Sequence, residues 1–213
     1  MAQFTELSEF YPIMKPELRG CSNPSILAAL RRAAITFCED TEAWQEDSDT
    51  AIVVDQRQYD VSETNGRVLR LIRVRLVDED VSDIRDPESG TVVDPWKYEL
   101  VNDDSTGAET LDFLKAYIPS DEADGYTLVV TRSLAPHDFQ DILPDWFMTQ
   151  WGMAIRSRAF FELYSAPDKP YSNPQQATRY WDQYMEYFSR AKFDNLHRRK
   201  YVSERAQSPR WAP

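Results

Sequence analysis

The chain has 213 residues, 42% of them hydrophobic, enough to bury a core as one domain or as one domain carrying an insertion. Its formal net charge of −12, from 36 acidic against 24 basic residues, argues against a duplex-binding surface over the whole molecule. No stretch approaches the roughly 20 apolar residues of a membrane helix, and the start MAQFTELSEFYPIM lacks a basic, apolar secretory leader, so folding in the cytoplasm is expected.

In chain order, a short helix is expected between Thr5 and Lys15, limited by Pro12 and Pro16. Asn23 as a cap and Pro24 open a longer helix to about Glu42, with Leu27, Leu30, Ala34 and Phe37 at helical spacing. From Asp49 the period becomes two: Ile72, Val74 and Leu76 alternate with arginines, and Trp96, Tyr98 and Leu100 with Lys97 and Glu99. Further strands are predicted at Ala51–Val54, Gln58–Val61, Leu111–Ile118 and Tyr126–Ser133, separated by the turn-forming ETNG, DPESG, NDDSTG and DEADG.

After Pro136 the helical period returns. Pro144 stands near a helix start, and Met148, Gly152, Ile155, Ala159 and Leu163 form one stripe, in which Gly152 and Ala159 admit a close neighbouring helix. SAPDKPYSNP breaks the chain, and Asn173 with Pro174 repeats the cap-plus-proline start. The last helix carries Ala177, Tyr180, Tyr184, Phe188, Ala191 and Asn195 on one face; after about Val202 periodicity ends, leaving Trp211 as an isolated apolar anchor.

Helices, then strands, then helices predict an α+β fold: a helical bundle with an inserted antiparallel β module, a small sheet or sandwich, and an extended C-terminal helix and tail. The expected boundaries are 1–47 with 136–202 for the helical domain, 48–135 for the β module and 203–213 for the tail. From Arg190 to the end, seven basic residues stand against Asp194 and Glu204, so a tail of +5 follows a body of −17.

No phosphate loop, G-x-S-x-G or H-E-x-x-H is present, and an enzyme is not expected. Glu39 with Asp40, Asp78 to Asp80, and Asp103 with Asp104 read as solvated clusters, and Cys38 reads as core rather than nucleophile. Two cysteines, Cys21 and Cys38, and two histidines, His137 and His197, are too few for a disulfide framework or a zinc site, and no cofactor is expected. His137 is expected to cap a turn. The run HRRK at 197–200 leaves three readings open: a solvated helix end favoured by the helix dipole, a contact with an acidic protein groove, or a contact with DNA.

Three stretches, in this order, resemble the podophage-type head-to-tail adaptor family, which includes the upper tail-tube proteins (tail tubular protein A-like) of short-tailed phages. They are CSNPSILAALRRAAITFCEDTEAW, RVLRLIRVRL and LPDWFMTQWGMAIRSRAFFELYSAPDKPYSNPQQATRYW. The resemblance runs from about Phe10 to Lys200, although between Val77 and Gly125 it is one of character only. The rich aromatic content of the last two helices and the proline-containing tail depart from the family pattern.

The resemblance implies a non-enzymatic virion protein of the neck or tail, made and assembled in the host bacterial cytoplasm. Its copies would form a ring, dodecameric by the family pattern, docked on the portal protein and receiving a distal nozzle or tail-tube component. Genomic DNA would pass through the lumen without specific binding. The portal-gripping residues it implies are Arg198, Arg199, Lys200, Tyr201, Arg205, Arg210 and Trp211, in a segment from about Asn195 expected to become ordered only between portal subunits. Two other classes stay open: a nucleic-acid-binding module using this basic tail, with Tyr201 and Trp211 to stack on bases, and a host-surface glycan-binding component using the acidic β region.

Overall fold

The computed structural model describes residues 3–78, 90–103, 108–114 and 126–205; at Asp78, Trp96, Asp103 and 197–205 it describes the backbone alone. The elements are β1 (Phe4–Glu6), α1 (Tyr11–Met14), α2 (Asn23–Thr41), β2 (Gln45–Ala51), β3 (Gln58–Asp60), β4 (Arg67–Asp78), β5 (Thr91–Val92), β6 (Tyr98–Asp103), β7 (Ala108–Phe113), β8 (Tyr126–Ala135), β9 (Ile142–Pro144), α3 (Asp145–Tyr164) and α4 (Pro174–Arg205). The fold is α+β. One compact unit takes the residues up to Trp44 together with Ala135–His197, and Gln45–Leu134 belong to another.

The helical unit is built on α2, α3 and α4. The N-cap of α2 is Ser22, whose hydroxyl accepts from Ser25 N–H, so the cap stands one residue before the expected Asn23, with Pro24 in the first turn. Its C-cap, Glu42, takes a left-handed conformation (φ 51°) and donates its N–H to the Cys38 carbonyl. Ile26, Ala29, Leu30, Ala33, Ala34, Phe37 and Cys38 are buried along α2. Burial pushes the Cys38 thiol far up, as befits a core residue.

Helix α3 has more than the one expected apolar stripe. Phe147, Trp151, Ala154, Ile155, Ser157, Ala159, Phe160, Leu163 and Tyr164 are all buried, which wraps most of the way around the helix. Gly152 receives a side chain rather than a helix: a Cβ there would come within 3.1 Å of the Phe10 ring. The N-terminal segment is also not the single helix expected. Phe4–Glu6 pair antiparallel with Ile142–Pro144, a 3-10 turn spans Leu7–Phe10, and only Tyr11–Met14 are α-helical. Pro12 opens that last turn and Pro16 lies just beyond it.

The β unit is a small sandwich. A four-stranded sheet of order β2-β8-β4-β5 and a three-stranded sheet of order β3-β7-β6 share a core of Ile52, Tyr59, Val61, Val74, Val93, Leu111, Phe113, Leu128 and Val130. Tyr59 packs edge-on to Phe113 (5.9 Å), and its hydroxyl donates to the Val53 carbonyl (3.0 Å). Arg132 closes one end of this core. It is buried, donates to the Val61 and Ser62 carbonyls (2.6 and 2.9 Å) and pairs with Glu63 (2.9 Å).

Three strand expectations are corrected. The strand expected at Ala51–Val54 lies earlier, at Gln45–Ala51, where QEDSDTA has no apolar alternation and is fixed by backbone pairing with β8. Pro95–Lys97 form a 3-10 turn, so the strand containing Tyr98 and Leu100 begins after Trp96. The strand expected from Leu111 begins at Ala108 and ends at Phe113, one residue before Leu114; residues 115–118 of that expectation, like the turns DPESG before Gly90 and DEADG, lie outside the described residues.

Candidate interaction surfaces of the helical unit

Helix α4 starts as its sequence suggests: the Asn173 side-chain oxygen accepts from Gln176 N–H (3.2 Å), and Pro174 opens the first turn. Ala177, Tyr184 and Ala191 are buried at successive sevens, which binds one stripe of the helix into the bundle. At Asn195 the stripe ends on a polar contact, the amide donating to the Thr41 carbonyl at the C-terminus of α2 (2.9 Å). Ten residues of α4 follow Asn195, about 15 Å of helix at 1.5 Å per residue.

Of the residues implied to grip a portal, Arg198, Arg199, Lys200, Tyr201 and Arg205 all lie on this terminal stretch of α4, with their side chains not described. Arg210 and Trp211 lie outside the described residues. The helix continues to Arg205, three residues beyond the expected end of periodicity. Sequence reasoning missed Phe193 and Leu196, which are 61% and 58% exposed in the turn that leads directly into the basic run. The signal was available, because both fall out of phase with the Tyr184–Ala191 stripe.

The seam between α3 and α4 is aromatic. Phe160 stacks on Tyr180 (4.4 Å) and on Tyr164 (5.7 Å), and Phe161 meets Trp181 (4.7 Å). Arg158 lies over Phe161, Trp181 and Tyr184 at 5.1, 5.4 and 5.8 Å. Tyr180 donates to the Glu17 carboxylate (2.6 Å), and Tyr164 points its hydroxyl at the same residue. Burial, then the Glu17 charge, pushes Tyr164 up to about 12, and burial pushes Tyr184 likewise to about 12. Tyr164 and Tyr180 thereby hold the Glu17 loop against the two helices.

An open cleft of about 620 Å³ lies between α2 and the C-terminal half of α3. Ala28, Phe161, Leu163 and Tyr171 give it apolar walls, while Arg32 and Arg158 bring cations to it. Arg32 is paired with Glu162, its Nε–H 2.9 Å from Oε1. His137 does not cap with its imidazole; its backbone forms a turn in which Gln140 N–H donates to the His137 carbonyl (3.0 Å). Among the described residues no cluster of His, Cys, Asp or Glu suits a metal ion, and no helix is long and apolar enough to cross a membrane.

No protein-family model matches the chain, and no curated protein matches it. Among solved structures it is similar to a chain in the neck of an empty gene transfer agent particle computed with C6 symmetry. The identity is 18%, the TM-score 0.33, and the match covers 84% of this chain and 94% of that one. It is also similar to a chain in the virion of a native gene transfer agent particle, again at 18% identity, with a TM-score of 0.28 and the same coverage of 84% and 94%. Likenesses this remote assign neither a family nor a role.

Proposed function

We propose that the chain is a structural virion protein of a tailed phage, a head-to-tail adaptor whose copies form a ring, dodecameric by the family pattern, beneath the portal protein. The ring would extend the DNA channel and offer the distal tail component its docking platform. The observation that carries this reading is α4. Its first part is bound into the bundle, it passes the end of α2 at Asn195, and its last ten residues bring Arg198, Arg199, Lys200, Tyr201 and Arg205 behind the exposed Phe193 and Leu196. Apolar anchors beside cations are what a partly acidic protein groove binds best, since the buried apolar contact supplies affinity and the charges supply register. The three sequence stretches that resemble the adaptor family support the same reading.

The acidic body fits it in two further ways. Like charges on the −17 body oppose close packing without a template, so the isolated protein stays mainly monomeric and assembles on the portal. Acidic residues facing a lumen repel DNA phosphates and let a genome slide. The test is portal binding by the full chain, by Phe193→Ser with Leu196→Ser, and by a chain ended after Leu196, which keeps the Asn195 contact. Both changes should weaken binding strongly while leaving thermal stability near that of the parent. Undiminished portal affinity in the shortened chain would overturn the assignment of α4.

A further inference from the structure

Phe139 is 86% exposed, yet it does not sit on a loose loop. Its turn is closed by Gln140 N–H on the His137 carbonyl (3.0 Å) and His137 N–H on the Gln140 side chain (3.2 Å). The base of the turn is pinned as well: Arg31 forks onto both oxygens of Asp141, with Nη2 to Oδ2 at 2.7 Å, and Leu7 N–H donates to the Asp141 carbonyl (2.7 Å). A lone exposed apolar residue is ordinary on a surface. A phenyl ring held out on a pinned turn is preorganised to dock, because little freedom remains to be lost on binding.

The chemistry of the turn matches the cleft described above. Phe139 is preceded by exposed Asp138, so the turn offers a ring next to a carboxylate. The cleft offers apolar walls next to the Arg158 guanidinium, for which no carboxylate partner is present among the described residues, while Arg32 there is already paired with the Glu162 that also lines the cleft. The two features also lie on different sides of one helix. Arg31 holds the turn and Arg32 borders the cleft, and consecutive helical residues point about 100° apart. A ring is closed by two different patches meeting head to tail, whereas a two-fold dimer uses one patch twice.

We propose that Phe139 and Asp138 of one copy insert into the α2–α3 cleft of the next, which is thereby occupied by a second copy of this chain. The contact rests on the ring reading above and supplies its lateral bond. It also answers the charge of the body, for copies that repel overall meet here through opposite local charges.

The test places the photoreactive p-benzoylphenylalanine at position 139 and irradiates the full chain bound to its portal, and separately the full chain alone at high concentration. Covalent dimers are expected, with the adduct mapped by mass spectrometry to Ala28, Phe161, Leu163 or Tyr171 of the second copy. In parallel, Phe139→Ser should lose ring closure while single copies still bind portal. Adducts on the portal or elsewhere on the chain, no adduct in either preparation, or Phe139→Ser rings closing at the parent's yield would each overturn the contact. Failure of the unmodified chain to bind portal would instead count against the adaptor reading, and the concentrated chain alone then decides the contact.

Discussion

Replacing Arg132 by methionine keeps most of the side-chain volume but removes every polar contact that Arg132 makes at this end of the sandwich. Arg132 is 3% exposed and satisfies the Val61 and Ser62 carbonyls as well as the Glu63 carboxylate, so the variant leaves all three without this partner. Breaking a buried ion pair from one side costs about 3 to 5 kcal/mol. The Glu63 side chain keeps 25% of its surface in water, so the lower end applies, about 3 kcal/mol. With an m-value of about 2 kcal/mol/M, the urea midpoint of the β unit should fall by about 1.5 M. The assay is equilibrium urea unfolding of the full chain, followed by a probe in the sandwich. A midpoint within about 0.3 M of the parent would show that water replaces the guanidinium at little cost and would refute the reasoning.

Asp60 gives a pH test of the same region. Its carboxyl is held below the usual carboxylate range by hydrogen bonds from the Ser62 side chain and backbone, with Arg132 adding attraction. A folded pKa lowered in this way stabilises above the unfolded value of about 3.9, and the benefit is lost as pH falls through the folded value. The stability gap between parent and Asp60→Asn should therefore be present at neutral pH and close in acid; an equal gap at both would contradict the assignment. In the helical unit, Phe37→Ala removes a ring that touches Phe147, Trp151 and Tyr184 and should cost about 3 to 5 kcal/mol in thermal or urea unfolding. Asn195→Ala should cost about 1 kcal/mol, with raised hydrogen exchange in α4 beyond Ala191 as its local signature.

The parts of the fold legible in the sequence are those written locally. α2 and α4 announce themselves through a polar cap followed by Pro24 or Pro174, and the Ala177, Tyr184 and Ala191 face of α4 follows from period alone. What escaped was set by distant partners. β2 is a strand because β8 offers it hydrogen bonds, while its side chains, Asp49 among them, give no period-two pattern. Phe4 pairs with Pro144, with α2 and the inserted β strands lying between them in sequence, which no local window reports. On α3 the apolar residues exceed one stripe because α2 and α4 both draw on them, through Trp151 against Phe37 and Phe160 against Tyr180. Of the candidate surface, the basic run was plain in the sequence. Phe193 and Leu196 required α4 to be phased by its buried face, and Phe139 required the turn that Arg31 and Asp141 pin.

Cryo-electron microscopy of the full chain mixed with its portal protein tests the central claim most directly. The account predicts a closed ring of this chain under the portal, with α4 beyond Asn195 seated on portal subunits. Chains that remain unattached, or a ring whose α4 ends face away from the portal, would contradict it.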